Sequence, residues 1–400
     1  MLMRYALGNK CIMDHTLSDS VINKLHTPAF IIDEDIIEKK LSWVRFLKCK
    51  LNCKVLYTLK PLILKEVLQS MSSHLNGFSA SSLFEARLAA DVIGKTGTLH
   101  YTSPGLEIKD FLPLNELCDY IAFNSLSQAS QLEKWLSKET QYGLRINPQK
   151  SYVEDARYDP CCQYSRLGIS LKQLHACVKE NSSLLSYISG IHFHSNCDSV
   201  SFTPLLETIK HLLTDGGNLI KQLRWINLGG GYLWDESTDY SPFYETISLL
   251  NEQDGLEIFF EPGASLVRES GFIVAEIIDL FQIDDVPIAI LNTTVNHMPE
   301  VFEYQYKPDI VGEKSEGEFT YIIQGASCLA GDIFGEYTFD KPLKVGSRLI
   351  FNHMGAYTFV KAHMFNGINL PTLYLHSKAR GIYEKKQFTY DDFLSKIGEK

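Results

Sequence analysis

The feature that most constrains the fold of this chain is a rhythm. Eight short apolar stretches, 54–60, 75–80, 98–103, 119–124, 142–147, 188–194, 224–228 and 256–261, alternate with segments of helical period such as 83–93, 127–136, 171–179, 204–213 and 242–253. Each stretch has the length of one buried strand, and each helical segment carries apolar residues three and four apart. Parallel strands need such crossovers, and eight β/α units in about 200–250 residues match a (β/α)8 barrel of the TIM type. A doubly wound sheet is the competing arrangement. The strand ends decide between them, because Lys60, Ser79, Asn124, Arg145, His194, Gly229-Gly230-Gly231 and Glu261 all stand where a barrel strand would open onto its mouth.

After Glu261 the character changes. Segments 272–281, 288–292, 320–324, 348–352 and 372–375 read as strands separated by glycine turns, and 388–400 reads as a short amphipathic helix. The expected organisation is therefore an N-terminal extension over 1–28 that packs on the β domain, a barrel over 29–266, and an all-β C-terminal domain with a terminal helix over 267–400. Within the barrel, Ala29 to Ile32 with Asp33 as a helix N-cap reads as the entry. The polar stretch 151–167 is long for a barrel loop and marks a functional or interfacial segment.

Four hundred residues with 45% hydrophobic and 22% charged content suffice for two cores. No run is apolar enough for a signal peptide or a membrane span. A net charge of −10 disfavours nucleic acid and is compatible with a cationic substrate. Nine cysteines without regular spacing point to a reducing, cytoplasmic setting, and neither Cys49/Cys53 nor Cys161/Cys162 has the second ligand pair of a zinc site, so no metal is expected.

Lys60 follows the buried run Val55-Leu56-Tyr57 and precedes Pro61, which ends the strand and leads into a helix over 62–71. An amine held there among apolar neighbours has a lowered pKa and attacks carbonyl carbon readily. Three successive glycines, Gly229 to Gly231, let backbone N–H groups approach an anion, and the late loops of a barrel commonly hold phosphate. Glu261 follows two phenylalanines, where a carboxylate is costly unless it faces a cation. His192 and His194 are expected on opposite sides of their strand, which disfavours a shared metal. Lysine, phosphate-binding glycines, a stacking histidine and a buried carboxylate on one mouth suggest pyridoxal phosphate, held as a Schiff base with its ring nitrogen kept protonated by the carboxylate.

At this point the sequence resembles the fold type III pyridoxal-phosphate decarboxylases, an alanine-racemase-like barrel followed by a β domain. The resemblance runs from about Thr27 to Leu375, and within the group it is strongest to carboxynorspermidine/carboxyspermidine decarboxylases. It is carried by Tyr57-Thr58-Leu59-Lys60, Gly77-Phe78-Ser79-Ala80-Ser81-Ser82, Tyr158-Asp159-Pro160 with Ser165-Arg166-Leu167-Gly168, His192-Phe193-His194, Asn296-His297-Met298-Pro299-Glu300, Cys328-Leu329-Ala330-Gly331-Asp332 and Met354-Gly355-Ala356-Tyr357. It implies Lys60 as the Schiff-base lysine, His194 stacked on the ring, and Glu261 on the ring nitrogen. Arg145, Gly229, Gly230, Gly231, Gly263 and Tyr357 complete the expected cofactor site. Cys328 would return the proton to Cα from the partner subunit of a homodimer. Without the family, Cys328 is a small residue in a Gly/Ala loop.

The chain also departs from the group. Ornithine and diaminopimelate decarboxylases usually carry arginine after Glu-Pro-Gly, where this chain has Ala264, so phosphate binding must rest more on backbone amides and Tyr357. Ser79 stands where the amine decarboxylases often have aspartate. Glu300, Glu303, Asp332 and His297 are the expected substrate-binding residues, the acids suiting a cationic tail. The expected activity is decarboxylation of carboxynorspermidine or carboxyspermidine, which differ by one methylene. Diaminopimelate or ornithine/arginine-type decarboxylation and a non-catalytic cofactor-binding homologue are the alternatives.

Overall fold

The computed structural model describes residues 18–94, 97–180, 186–216, 222–235 and 237–399. The expected extension 1–28 is thus described only from Ser18 onward. The chain divides into two compact units, one of Lys39–Leu266 and one of Met1–Glu38 with Val267–Lys400.

The first unit is the barrel. Strands Lys54–Thr58, Gly77–Ala80, Thr98–Thr102, Tyr120–Phe123, Gln141–Asn147, Ile188–His192, Trp225–Asn227 and Glu257–Phe260 pair in parallel in chain order, and the last closes on the first through Phe259↔Lys54 and Phe260↔Val55. A short strand, Ile169–Ser170, adds to the end of Gln141–Asn147. All eight expected strands form. Their buried side chains fill most of the interior, as in a closed barrel of this size: Leu56, Tyr120, Ala122, Trp225 and Phe259 make one apolar cluster. Helix starts are set by local capping, with Ser82, Ser125 and Ser170 hydroxyls accepting the N–H of Glu85, Gln128 and Gln173. The helix after Lys60 begins at Lys65, three residues later than expected. Link 103–118 contains the helix Ile108–Leu117, obscured in the sequence by Pro113 inside it.

The second unit is built on a mixed sheet in the order Ile333–Phe339, Phe319–Gln324, Val286–Leu291, Gly271–Ile283, Ala29–Asp33, Thr372–Ser377 and Gly381–Lys386, with Arg348–Phe351 also on Gly271–Ile283. Here the expected boundary shifts. Ala29–Asp33 is not the barrel's entry; it pairs antiparallel with Gly271–Ile283 and parallel with Thr372–Ser377, so the barrel unit begins within the helix Glu34–Lys50. Ile22 and Leu25 pack with Ala29, Ile31, Phe272, Val274 and Tyr374, so the described part of the extension belongs to this sheet's core. The helix Tyr390–Lys396, opened by a Thr389/Asp392 capping box, is the expected terminal one. Among the described residues no helix is long and apolar enough to cross a membrane.

Candidate active site

Lys60 lies at the corner of a clamped turn. Leu62 N–H donates to the Leu59 carbonyl, Leu59 N–H to that of Ser79, and the buried Tyr57 hydroxyl to that of Leu62 at 2.9 Å. These bonds fix the backbone on both sides, so the amine's position is set by the barrel rather than by a free loop. Gly263 abuts the same turn: a Cβ there would stand 2.6 Å from Thr58 Cγ2 and 2.9 Å from Pro61 Cγ. Its glycine character therefore serves the lysine turn first. The Lys60 side chain keeps access to solvent, yet surrounding protein removes much of its hydration, and this lowers its pKa. Arg145 adds to the lowering, while Cys197, Glu261 and Glu85 oppose it.

Glu261 is buried at the end of Glu257–Phe260. Its Oε1 accepts from Asn227 Nδ2 at 2.5 Å, and its Oε2 lies 3.5 Å from His192 Nε2. Burial pushes its carboxyl up, but His192, His100 and Asn227 together outweigh that and hold it at about 2, so it is ionised. His192 therefore faces the barrel interior, and His194 faces the mouth beside Lys60 and Arg145, whose charges add to burial in lowering its pKa. The expectation of opposite sides is corrected by elementary strand geometry: residues two apart share a face. With Nδ1 accepting the Gly230 N–H at 3.1 Å, the neutral His194 ring carries its proton on Nε2.

The glycine loop is tighter than a simple anion cradle. Gly229 N–H donates to Asn227 Oδ1 at 2.9 Å and Gly230 N–H to His194, leaving the Gly231 amide unengaged. Gly229 and Gly231 have φ of 64° and 93°, and a Cβ on them would stand 2.2 Å from the Phe193 carbonyl and 2.1 Å from that of Asn196. Only glycine fits such backbone contact. Arg145 is buried with no protein partner for its Nε; loss of hydration brings its pKa to about 10, so it remains a cation. A free amine, an ionised carboxylate, a neutral imidazole, an uncommitted amide and a buried cation with a spare donor fit a phosphorylated pyridine aldehyde. Asn227 and His100 belong to this constellation too; each stands in an apolar strand, where it reads as ordinary core.

The other expected residues lie in the β-rich unit. Cys328 is exposed on a loop whose shape is set by its neighbours: its N–H donates to Asn366 Oδ1 at 2.9 Å, and Asp332 accepts from Val295 N–H at 2.8 Å, Ser327 N–H at 2.9 Å and the Ser327 hydroxyl at 2.5 Å. Asp332 is thus engaged in organising the cysteine loop. Glu303 is paired with Lys361, and Glu300 Oε1 accepts from the Thr358 hydroxyl, so both acids of Pro299–Tyr304 tie that helix to Thr358–Lys361. Glu300 Oε2 is buried without a protein partner, whereas the buried His297 ring meets the Thr293 hydroxyl through Nδ1 at 3.0 Å and the Asn369 backbone. Tyr357, half-buried with φ of 68°, opens the Thr358–Lys361 helix, and the Lys361 ammonium lies 5.9 Å from its ring centroid.

The family model for the pyridoxal binding domain of pyridoxal-dependent decarboxylases matches residues 33–275. The chain is 33% identical to a carboxyaminopropylagmatine decarboxylase of Synechocystis, across 96% of this chain and 98% of that one. It is 31% identical to a carboxynorspermidine/carboxyspermidine decarboxylase of Campylobacter jejuni, across 92% and 98%. A crystal structure of carboxynorspermidine decarboxylase from Campylobacter jejuni, complexed with norspermidine, superposes with a TM-score of 0.83 at 30% identity, covering 93% of this chain and all of that one. Diaminopimelate decarboxylase of Helicobacter pylori shares the fold with a TM-score of 0.81 at 18% identity, covering 95% and 98%. The lysine turn, the ionised Glu261 and the glycine loop thus stand on a barrel whose sequence places the chain among the pyridoxal-dependent decarboxylases.

Proposed function

We propose that the protein decarboxylates carboxynorspermidine or carboxyspermidine, as a cytoplasmic homodimer with shared active sites. One observation carries the catalytic part: a lysine amine of lowered pKa and an ionised, buried Glu261 on the same barrel mouth. Bound pyridoxal phosphate supplies the electron sink into which the Cα–carboxylate bond breaks. Lys60 would hold the group through its aldehyde carbon, the lowered pKa of its amine suiting it to that bond. Glu261, fixed by Asn227, holds a proton on the ring nitrogen. His194 presents a neutral ring face, and the Gly231 amide, Arg145 and Tyr357 serve the anionic groups. We assign proton return at Cα to the partner subunit's Cys328, on the loop that Asp332 shapes.

Substrate class follows from the named relatives and from the acids. Of the expected tail contacts, Glu300 Oε2 retains bonding capacity, whereas Glu303 and Asp332 act through the groups they hold and His297 is engaged by Thr293 and the Asn369 backbone. None of the eight described cysteines is in a disulfide, in keeping with a reducing compartment. The Synechocystis relative favours a second reading, a carboxylated triamine analogue ending in guanidinium rather than ammonium. Purified protein should be assayed for CO2 release and amine product with carboxynorspermidine, carboxyspermidine, carboxyaminopropylagmatine, diaminopimelate and ornithine. Turnover of a carboxylated triamine at least about a hundredfold above the last two is expected. Preference for diaminopimelate or ornithine overturns the reading. The two triamines should differ by only about 10–200-fold, because one methylene is all that separates them.

A further inference from the structure

Beneath Glu261 the barrel interior holds two imidazoles with unused nitrogens. His192 turns Nε2 toward Glu261 and has no protein partner for the buried Nδ1; His100, on the strand Thr98–Thr102, has none for its buried Nε2. Both rings line one small cavity together with Thr102, Tyr120, Trp225 and Asn227. The cavity offers room for about one water molecule, and a water needs two or more polar partners. His100 cannot swing across to meet His192, because its ring is stacked on Tyr120 at 4.2 Å between centroids and packed against Phe259 at 4.4 Å. Both nitrogens are among groups that a folded protein rarely leaves unbonded.

We propose that one ordered water joins His100 Nε2 to His192 Nδ1, and that through it His100 is a positioning residue for the Glu261 carboxylate. A neutral His192 that offers Nε2–H to Glu261 has its lone pair on Nδ1, and that lone pair needs a donor. The protein supplies none, and the water does. Its remaining hydrogen or lone pair meets His100. Without this donor the alternative tautomer, with the proton on Nδ1, gains, and it turns a lone pair toward the carboxylate. The pair Glu261–His192 then changes from attractive to repulsive. The role of Glu261 rests on the function proposed above, whereas the water and the tautomer do not.

Crystal structures at a resolution that shows waters, and ¹⁵N spectra of histidine-labelled protein, test this on wild type, His100→Leu and His100→Gln, each with and without pyridoxal phosphate. Wild type should show one water within hydrogen-bond distance of both nitrogens and His192 protonated on Nε2. His100→Leu should lose the water, populate the Nδ1–H form, and lower kcat about tenfold with KM within twofold. His100→Gln, whose amide reaches the same water, should restore both. A cavity without water in wild type, or an unchanged His192 tautomer in His100→Leu, overturns the proposal. Should the leucine variant not fold, the wild-type structure and the glutamine variant decide alone. Failure to bind pyridoxal phosphate would instead sink the functional reading, with water and tautomer still read on the free protein.

Discussion

Replacing Glu300 by glutamine should flatten the pH dependence of the β-rich unit's stability. The carboxyl is only 5% exposed, its Oε1 takes the Thr358 hydroxyl, and its Oε2 takes nothing from the protein. Burial raises its pKa from 4.5 to about 7, against the opposing effects of Thr358 and Lys361 and with help from Glu303. A carboxyl whose folded pKa is raised contributes stability in full below its unfolded pKa, and that contribution is lost as the pH rises through the folded value. For pKa values of 4.5 and about 7 the loss between pH 5 and pH 8 is about 2.5 kcal/mol. Glutamine has the same shape, still accepts from Thr358 and carries no proton equilibrium. Urea unfolding at pH 5, 6, 7 and 8, followed by circular dichroism, should show the variant gaining about 2.5 kcal/mol on wild type across the series. Two parallel stability curves would refute the assignment of a buried, proton-bearing Glu300.

Lys60→Ala should abolish both turnover and the borohydride-stable attachment of pyridoxal phosphate, with peptide mapping of the reduced wild type placing the label on Lys60 and nowhere else. Glu261→Gln should still fix the cofactor on Lys60 but lower kcat by at least about tenfold, since a neutral amide no longer holds the ring nitrogen's proton; unchanged kcat would remove Glu261 from the mechanism. Gly263→Ala drives a methyl into Thr58 and Pro61 and should cost about 1–3 kcal/mol with weakened cofactor binding, read by thermal unfolding and by titration of the free protein. Mixing exchangeable Lys60→Ala and Cys328→Ala subunits should recover up to about a quarter of wild-type activity, because in half of the dimers one site carries neither lesion; no recovery despite proven exchange would place both residues in one chain's site.

What the sequence disclosed, and what it hid, divides by the range of the interactions. The eight barrel strands were legible because each is an apolar run set between helical patterns, a signal contained in fewer than ten residues. Lys60, Glu261 and the glycine loop were legible because strand ends in such a fold gather at one mouth. Ala29–Asp33 was not, since a strand followed by a helix looks the same whether it opens a barrel or joins a distant sheet; only Ala29↔Val274 and Ala29↔Thr372 decide it. Glu303 looked like a free acid because Lys361, which engages it, is 58 residues away, and Asp332 because its bonds from the Val295 N–H and from Ser327 exist only once the loop has folded. His100 and Asn227 carry no local signal: each sits in an apolar strand and gains meaning only from Glu261, which Asn227 meets at 2.5 Å from the neighbouring strand.

The placement of Ala29–Asp33 between Gly271–Ile283 and Thr372–Ser377 has a consequence for how the chain is made. Its buried partner His376 is 343 positions further along, so at ribosomal rates of about 5–20 residues per second this apolar strand waits roughly 17–70 s for its neighbours. All of Lys39–Leu266 emerges in that interval, and the barrel can close while the sheet still lacks both flanking strands. The nascent chain therefore carries an unpaired strand edge throughout the synthesis of its largest unit, the kind of surface that invites pairing with another chain and engagement by chaperones. Loss of the last strands by truncation would be felt first at the amino end, where Ala29–Asp33 would be left with half its ladder.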